Sequence, residues 1–185
     1  MTKRLKHIKD LPTLQTSRLK LTPLSKSFLS KKYVKWMNDK DIVKYMQSGG
    51  NYSIEKLSDY LDEVELKPKY FWAITVKSCE VHIGNIKIDP IDFKNKFGEY
   101  GIMVGDKNFW GKGFAKEASE EVIRFCFQEL DLRKINLGVL SINDDAVNLY
   151  KKLGFVIEGH FKKHVAFEGR FIDIFRMSIF NFNLK

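Results

Sequence analysis

Alternating polar and apolar residues mark the first regular segment of the chain, and helical spacing follows it. Residues 18–22 alternate in this way, which predicts a half-buried strand. Ser25 is a suitable N-cap for a first helix, and a second helix is predicted around residues 42–46. A glycine-rich break at 49–51 precedes Ser53, which is placed to cap a third helix. The first third of the chain therefore predicts one strand followed by helices.

β-Branched and aromatic residues dominate the middle of the chain. They predict strands at residues 70–76, 81–88 and 100–104. The turn-forming sequences at 89–90 and 94–96 separate the last two of these strands. A sheet built from neighbouring strands is therefore expected here.

Helices and strands alternate in the last third. Apolar residues at helical spacing predict a long helix over 115–130, and a second helix over 145–153 ends at Gly154. Three more strands are predicted, at residues 135–140, 155–158 and 172–179. The whole pattern predicts an α/β (α+β) fold in which a mixed central sheet of about six to seven strands is flanked by about four helices.

The length of 185 residues and the lack of a Pro/Gly/Ser-rich linker predict one domain over residues 13–185, after a flexible basic arm over residues 1–12. The longest apolar runs, such as 71–74, are far shorter than the roughly 20 residues that cross a bilayer. No apolar segment follows the basic N-terminus, so no secretory signal is predicted. We therefore expect a cytoplasmic protein.

The net charge is +9, from 32 Lys and Arg against 23 Asp and Glu. This excess favours a polyanionic partner such as a nucleic acid, an anionic surface or a phosphorylated cofactor, although a lysine-rich solvated surface has the same composition. Cys79 and Cys126 lack CxxC spacing, and the four histidines are scattered. Neither a metal site nor a redox pair is therefore predicted.

The segment with the clearest chemistry lies between a predicted strand and the long helix. It consists of Asn108, Phe109, Trp110, Gly111, Lys112, Gly113, Phe114 and Ala115. A glycine-bearing loop that opens a helix directs several backbone N–H groups to one place at the positive end of the helix dipole, which suits phosphate oxygens. Gly111 and Gly113 let a diphosphate approach the backbone, and Lys107 and Lys112 are placed to add positive charge.

Two other phosphate-binding motifs do not fit this loop. A Walker loop fails because five residues separate Gly105 from Gly111 and because Gly113 follows Lys112. A dinucleotide fingerprint fails because Lys116 occupies the position of its third glycine. A tight turn without any ligand remains the alternative for this segment taken by itself.

A second segment follows a predicted buried strand, and its motif positions are Asn143, Ala146, Tyr150, Gly154 and Phe155. Together the two segments resemble the (Q/R)xxGxG/A loop and the NxxAxxxYxxxGF element of the GNAT superfamily of N-acetyltransferases. The sequences at 18–21 and 169–173 resemble the branch that contains ribosomal-protein N-terminal, spermidine and amino-sugar acetyltransferases. Asn108 departs from the pattern, because it stands at the Gln/Arg position and is shorter and neutral.

The resemblance implies that acetyl-CoA is the co-substrate and that the acceptor amine attacks its thioester directly. Backbone N–H groups at Met103 and Val104 would then polarise the thioester carbonyl. Tyr150 matches the position that protonates the departing thiolate, although an aromatic core residue on a helix would have the same spacing. Asn143 matches the position that binds the pantetheine arm or positions Tyr150, and it also suits a helix N-cap.

The resemblance also implies a group that accepts the proton of the amine. Glu99 stands where similar enzymes often hold a water with a glutamate, but an exposed carboxylate at a strand edge is an equal alternative. The carboxylates of Asp89, Asp92 and Glu158 are possible substitutes.

The acceptor is expected to bind between the early helices. The candidate residues that line the acceptor site are Trp36, Asn38, Asp39 and Tyr45. Trp36 and Tyr45 are at helical spacing, so they could equally belong to the hydrophobic core. The basic composition argues against a polyamine acceptor. It suits a phosphorylated acceptor, such as a nucleotide-linked amino sugar, or simply coenzyme A itself. A protein N-terminus is a close alternative acceptor.

Two other classes of function stay open from the sequence. The first is a module that binds acetyl-CoA without catalysis, and the second is a nucleic-acid-binding protein, for which no recognition motif is present. We expect no membrane partner and either a monomer or a homodimer, whose interface the apolar segment at 174–182 could form.

Overall fold

The computed structural model describes residues 10–46, 49–67 and 69–181. Within these residues the chain forms eight strands and five α-helices. The strands are β1 (Leu14–Gln15), β2 (Leu19–Pro23), β3 (Tyr70–Val76), β4 (Val81–Asp92), β5 (Phe97–Val104), β6 (Lys134–Leu140), β7 (Val156–Phe167) and β8 (Arg170–Phe180). The helices are α1 (Lys31–Asn38), α2 (Lys40–Val43), α3 (Ile54–Leu66), α4 (Phe114–Gln128) and α5 (Asp144–Lys152).

All eight strands join one mixed sheet in the order β1-β2-β3-β4-β5-β6-β8-β7. Neighbouring strands are antiparallel except β5 and β6, which are parallel. The predicted fold class is confirmed. The sheet has one strand more than the seven predicted, because β1 has two residues and is too short to show a periodic pattern.

The sheet opens between its two parallel strands. Pairing of β5 with β6 runs from Phe97 opposite Lys134 to Glu99 opposite Asn136. Beyond that point β5 continues to Val104 and stays paired with β4, while β6 stays paired with β8. The two strands therefore diverge and leave a gap in the middle of the sheet.

Helices cover both faces of the sheet, each over its own hydrophobic core. On one face α4 and α5 pack over a core that contains Trp72, Val122 and Tyr150. On the other face α1 and α3 pack over a core that contains Trp36 and Phe71. Phe71 and Trp72 are adjacent in β3 and enter different cores, because successive side chains of a strand point to opposite faces.

Several predicted boundaries differ from the structure. Ser25 does not cap the first helix; it precedes a 3-10 turn at Lys26–Phe28, and the Ser30 side chain accepts from the N–H of Tyr33 at the start of α1. Ser53 caps α3 as predicted. No turn occurs at 89–90, because β4 continues to Asp92 with an irregular register against β5.

The N-terminal arm was predicted to end at residue 12. Residues 1–9 lie outside the described part of the chain, but Leu11 is 3% exposed and belongs to the first core. The indole N–H of Trp72 donates to the carbonyl oxygen of Pro12 at 2.9 Å. The packed domain therefore begins before the predicted boundary. None of the described helices is both long and apolar enough to cross a membrane.

Candidate active site

The loop between β5 and α4 presents free backbone donors. Gly113 is the N-cap of α4 and no side chain caps this helix. The N–H of Glu117 donates to the carbonyl oxygen of Gly113 as the helix begins. The N–H groups of the residues before Glu117 in the first turn have no intrahelical acceptor, as in any α-helix. These donors and the helix dipole form a site of positive potential.

Both glycines of the loop have left-handed backbone conformations, with φ of 69° at Gly111 and 80° at Gly113. A Cβ atom at Gly111 would have no heavy atom within 4 Å, so the surface above this residue is open. At Gly113 the nearest atom to such a Cβ would be a guanidinium nitrogen of Arg18, at 3.5 Å. The glycines are therefore needed for the backbone conformation, and the open surface leaves room for a ligand.

The remaining loop residues divide into anchors and exposed groups. The rings of Phe109 and Phe114 pack together at 5.7 Å and hold the loop on the domain. Asn108 and Lys112 are exposed. Lys107 does not provide free charge as predicted, because its ammonium pairs with Asp39 and Asp41 at 2.8 and 2.7 Å.

Trp110 joins the loop to the end of β5. Its side chain is 44% exposed, yet its indole N–H donates to the carbonyl oxygen of Val104 at 2.7 Å. The loop start is fixed in a second way, because the buried Asp106 carboxylate accepts from the N–H of Asn108 and pairs with Lys32 at 2.6 Å. The position of the loop is therefore set relative to the strand end.

Arg18 and Glu117 brace the loop from the side of β2. Glu117 accepts hydrogen bonds from the hydroxyl of Thr16 and from the backbone N–H and Nε of Arg18, the last at 2.6 Å. Arg18 also donates to the carbonyl oxygen of Lys112 at 3.1 Å and lies 4.4 Å from the ring centre of Phe114. Burial alone would raise the pKa of Glu117, but these bonds lower it to about 2.

Strand alternation identifies the backbone donor that faces the gap. The N–H of Gly105 donates to the carbonyl oxygen of Ile83 at 2.8 Å, so it faces the β4 side. Because successive N–H groups of a strand point to opposite edges, the N–H of Val104 faces the gap and that of Met103 faces β4. Of the two predicted carbonyl-polarising donors, Val104 is therefore the one that is free.

Tyr150 lies on α5 in the first core, next to the gap. Its ring packs at 5.8 Å against both Tyr100, the first residue of β5 beyond the parallel pairing, and Phe155. The side chain is 9% exposed, and its hydroxyl has no hydrogen-bond partner among the described residues. Burial raises the pKa of Tyr150 to about 12, so the hydroxyl stays protonated at neutral pH and can donate a hydrogen bond.

Asn143 is the N-cap of α5. Its side-chain oxygen accepts from the N–H of Ala146 at 3.3 Å, and its own N–H donates to the carbonyl oxygen of Leu140. These bonds fix the start of the helix that carries Tyr150. The side-chain amide N–H groups remain as donors for a ligand.

A cleft of about 920 Å³ lies on the opposite face of the sheet, between the early helices and the β7–β8 hairpin. Glu99 lines it and is bonded at both carboxylate oxygens by Arg176 of β8, at 2.7 and 2.8 Å. Because Glu99 and Tyr100 are adjacent in β5, their side chains point to opposite faces, so Glu99 and Tyr150 flank the sheet from its two sides.

The predicted wall residues of the acceptor site fall into three groups. Tyr45 lines the cleft and stacks on Phe167 at 5.7 Å. Trp36 is a core residue, 5% exposed. Asn38 and Asp39 have structural contacts, since Asn38 exchanges hydrogen bonds with the backbone of Tyr52 and Asp39 caps α2.

The substitute carboxylates do not line the cleft. Asp92 accepts hydrogen bonds from Asn95, and Glu158 pairs with Lys134 and accepts from Ser178. Asp89 is likewise outside the lining residues. Among the described residues, no group of His, Cys, Asp and Glu side chains could hold a metal ion.

The fold and site define a class of enzyme. A sheet that opens beside a glycine-bearing helix N-terminus, with a large cleft on the other face, can hold a phosphate-bearing donor and an acceptor on its two sides. The class is that of enzymes that transfer a group between two bound molecules.

The chain belongs to the GNAT acetyltransferase family and is an N-acetyltransferase. The family described as "Acetyltransferase (GNAT) domain" matches residues 18–156. The chain is 29% identical over 174 residues to p20, an uncharacterised N-acetyltransferase of Bacillus licheniformis, and the match covers 91% of this chain and 96% of p20.

Two solved structures of acetyltransferases are similar to this chain. The spermidine N-acetyltransferase of Vibrio cholerae, solved with CoA and spermine, has a TM-score of 0.80 and 26% identity, covering 89% of this chain and 96% of its own. The ribosomal-protein-S5-alanine acetyltransferase of Vibrio fischeri has a TM-score of 0.81 and 20% identity, covering 94% and 99%, and it supports the fold alone.

Sequence reasoning did not find Arg18, Glu117 or Arg176, which hold the loop and Glu99 in place. It also did not find Lys44 and Lys87, which line the cleft. These residues come from segments far apart in the chain. Arg18 lies in the segment 18–21, but the resemblance of that segment did not indicate a contact with the loop. Gly101 and Gly138 are a local signal for Lys87 and Arg176, which lie over them, because a glycine inside a strand often marks a close approach of other groups.

Proposed function

We propose that the chain transfers the acetyl group of acetyl-CoA to the primary amine of a small molecule, an amino sugar or another small amine, in a ternary complex. The observation that carries the proposal is the open N-terminus of α4 at Gly111 and Gly113, beside the gap between β5 and β6. The CoA complex of the spermidine acetyltransferase relative supports the same ligand here.

The diphosphate of CoA is held by the first N–H groups of α4, and the pantetheine arm lies along the free edge of β5. The thioester carbonyl then accepts a hydrogen bond from the N–H of Val104. Because this bond strengthens as the oxygen gains negative charge, it lowers the barrier to the tetrahedral intermediate. Loss of such a donor typically costs about 10²–10³ in rate.

The hydroxyl of Tyr150 donates to the sulfur as the thiolate leaves. With a pKa of about 12, the phenol is a much weaker acid than an ordinary thiol of pKa ~8.5. Complete proton transfer to the thiolate is therefore uphill, and the contribution of Tyr150 is mainly a hydrogen bond to the developing negative charge.

The acceptor amine enters from the cleft and loses its proton to Glu99, directly or through a water. Arg176 occupies one position on each carboxylate oxygen of Glu99, and each oxygen has a second lone pair for such a water. Arg176 also keeps the carboxylate in a fixed orientation toward the cleft.

A thiol-release assay with acetyl-CoA tests this function. The panel should contain amino sugars, other small amines and a short peptide with a free N-terminus, and mass spectrometry should identify the acetylated product. We expect release of CoA that depends on a small amine. Release that depends only on the peptide would identify a protein N-terminal acetyltransferase, and binding of acetyl-CoA without any release would identify a non-catalytic module.

A further inference from the structure

Two cationic side chains lie in the floor of the acceptor cleft, each over a glycine of the neighbouring strand. Lys87 of β4 crosses Gly101, and a Cβ atom at 101 would lie 3.1 Å from its Cε. Arg176 of β8 crosses Gly138, and a Cβ atom there would lie 3.0 Å from its Nη1. The two glycines therefore leave the space in which both cations reach the cleft.

The cleft carries more positive than negative charge. Among its described lining residues, Lys44, Lys87 and Arg176 are cations and Glu99 is the only carboxylate. Arg176 already neutralises Glu99 through two hydrogen bonds. Neither Lys44 nor Lys87 has a carboxylate partner within 4 Å in the described part of the chain. Two ammonium groups are therefore free to pair with a ligand.

Aromatic rings hold both free ammonium groups at the cleft. The Nζ of Lys87 lies 5.2 Å from the ring centre of Phe71. The Nζ of Lys44 lies 5.3 Å from the ring centre of Tyr45, whose ring stacks on Phe167. These contacts favour positions of the cations over aromatic surface. Lys87 is half-buried, so an ion pair with a ligand is screened less there than in bulk water, whereas Lys44 is exposed.

We infer that the acceptor is a primary amine that also carries an anionic group, a phosphate or a carboxylate, and that polyamines are poor acceptors. This inference rests on the proposed function. The anionic group pairs with Lys44 or Lys87, whereas a polyamine brings several positive charges into a cleft that is already positive. The nearby cations also disfavour the protonated form of the acceptor amine, and only the neutral amine is a nucleophile.

Matched amines at saturating acetyl-CoA test the inference. Glucosamine 6-phosphate is compared with glucosamine, O-phosphoethanolamine with ethanolamine, and glycine with glycinamide, and spermidine is added. We expect kcat/KM at least about tenfold higher for the anionic member of at least one pair, since a charge-assisted hydrogen bond carries this much. The pairs that show the effect distinguish phosphate from carboxylate.

Lysine variants connect the preference to the cleft. At least one of Lys87→Gln and Lys44→Gln should lower the anionic-to-neutral ratio of kcat/KM by about tenfold, and the variant that does so identifies the lysine that pairs with the anionic group. An unchanged ratio in both variants would contradict the inference. Lys20→Gln removes an exposed lysine of β2 outside the cleft and should leave the ratio unchanged. Spermidine as the best acceptor, or equal rates within every pair, would overturn the inference and leave the acetyltransferase function intact. Failure to acetylate any amine would contradict both.

Discussion

The indole N–H of Trp110 donates a 2.7 Å hydrogen bond to the carbonyl oxygen of Val104. This bond connects the two parts of the backbone on which the proposed chemistry depends. Val104 carries the N–H that faces the gap in the sheet, and Trp110 immediately precedes Gly111, the first glycine of the loop between β5 and α4. The Trp110 side chain is 44% exposed, so its burial contributes little to holding the loop in place. The hydrogen bond to Val104 therefore provides most of the attachment of the loop to the end of β5.

Trp110→Phe keeps an aromatic ring and removes this donor. We expect kcat/KM for acetyl-CoA to fall about 2- to 10-fold, the range of a single neutral hydrogen bond, because the loop is no longer fixed to the strand end. The thermal midpoint should change little. Leu66→Ala, at a residue that is 84% exposed on α3, serves as the control and should leave the kinetics unchanged. Wild-type kinetics for Trp110→Phe would show that this bond does not position the loop for catalysis.

Tyr150→Phe removes the hydroxyl proposed to stabilise the leaving thiolate. We expect kcat to fall about 10- to 100-fold, the range of a hydrogen bond to a charged group, while the Kd of acetyl-CoA stays nearly the same. The ring contacts with Tyr100 and Phe155 do not need the hydroxyl, so the fold should be retained. Steady-state kinetics and calorimetry on the same preparation separate the two constants. An unchanged kcat would exclude Tyr150 from the mechanism.

Glu99→Gln removes the proposed proton acceptor and keeps the shape of the side chain. We expect a lower kcat/KM for the amine and a loss or shift of the low-pH limb of the pH–rate profile, because the ionised base no longer controls that limb. A profile with the wild-type shape would exclude Glu99 as the base. Glu158→Gln changes a carboxylate outside the cleft and provides the comparison.

The Glu117 carboxylate links the stability of the loop region to pH. Its pKa is lowered from the ordinary 4.5 to about 2, so the ionised form is favoured by the folded state. Its stabilising contribution is therefore fully present above pH 4.5 and is lost as the pH falls toward 2. The free energy of unfolding is measured with urea at several pH values between 4.5 and 2. As the pH falls, this free energy should decrease less in Glu117→Gln than in the wild type. Glu120→Gln changes an exposed neighbour on α4 and should show the same decrease as the wild type. If the free energy of unfolding depended on pH equally in all three proteins, Glu117 would not be the group responsible.

The sequence predicted the elements that local pattern determines. The β-branched and aromatic run at 70–76, the helical spacing after Gly113 and the glycine that ends α5 all correspond to observed elements. The loop between β5 and α4 was also predictable as a structural element, because its glycines and the helix that follows are contiguous in the chain. Its binding of a diphosphate stays a prediction. The strand β1 was missed, since two residues carry no periodicity.

The contacts that complete the site depend on tertiary structure. The partner of Glu99 is Arg176, 77 residues away, and the partner of Glu117 is Arg18, 99 residues away. No spacing rule connects such pairs. The choice between Met103 and Val104 was also out of reach, because it depends on which N–H of β5 is used by β4.

The most direct measurement is calorimetric titration of the wild type, Gly111→Ala and Gly50→Ala with two ligands. The first is CoA, and the second is pantetheine, which lacks the diphosphate and the phosphorylated adenosine. The two glycines are matched, with φ of 69° and 74° and open space where a Cβ atom would lie, so each substitution should cost a similar ~1–2 kcal/mol of backbone strain.

We predict that the wild type binds CoA at least about tenfold more tightly than pantetheine, because charge-assisted hydrogen bonds to the diphosphate contribute to this difference together with the contacts of the phosphorylated adenosine. Gly111→Ala should lose most of that preference, and Gly50→Ala should keep it. No heat of binding with CoA, equal affinity for the two ligands, or equal behaviour of the two variants would contradict the claim that the backbone at the start of α4 binds the diphosphate.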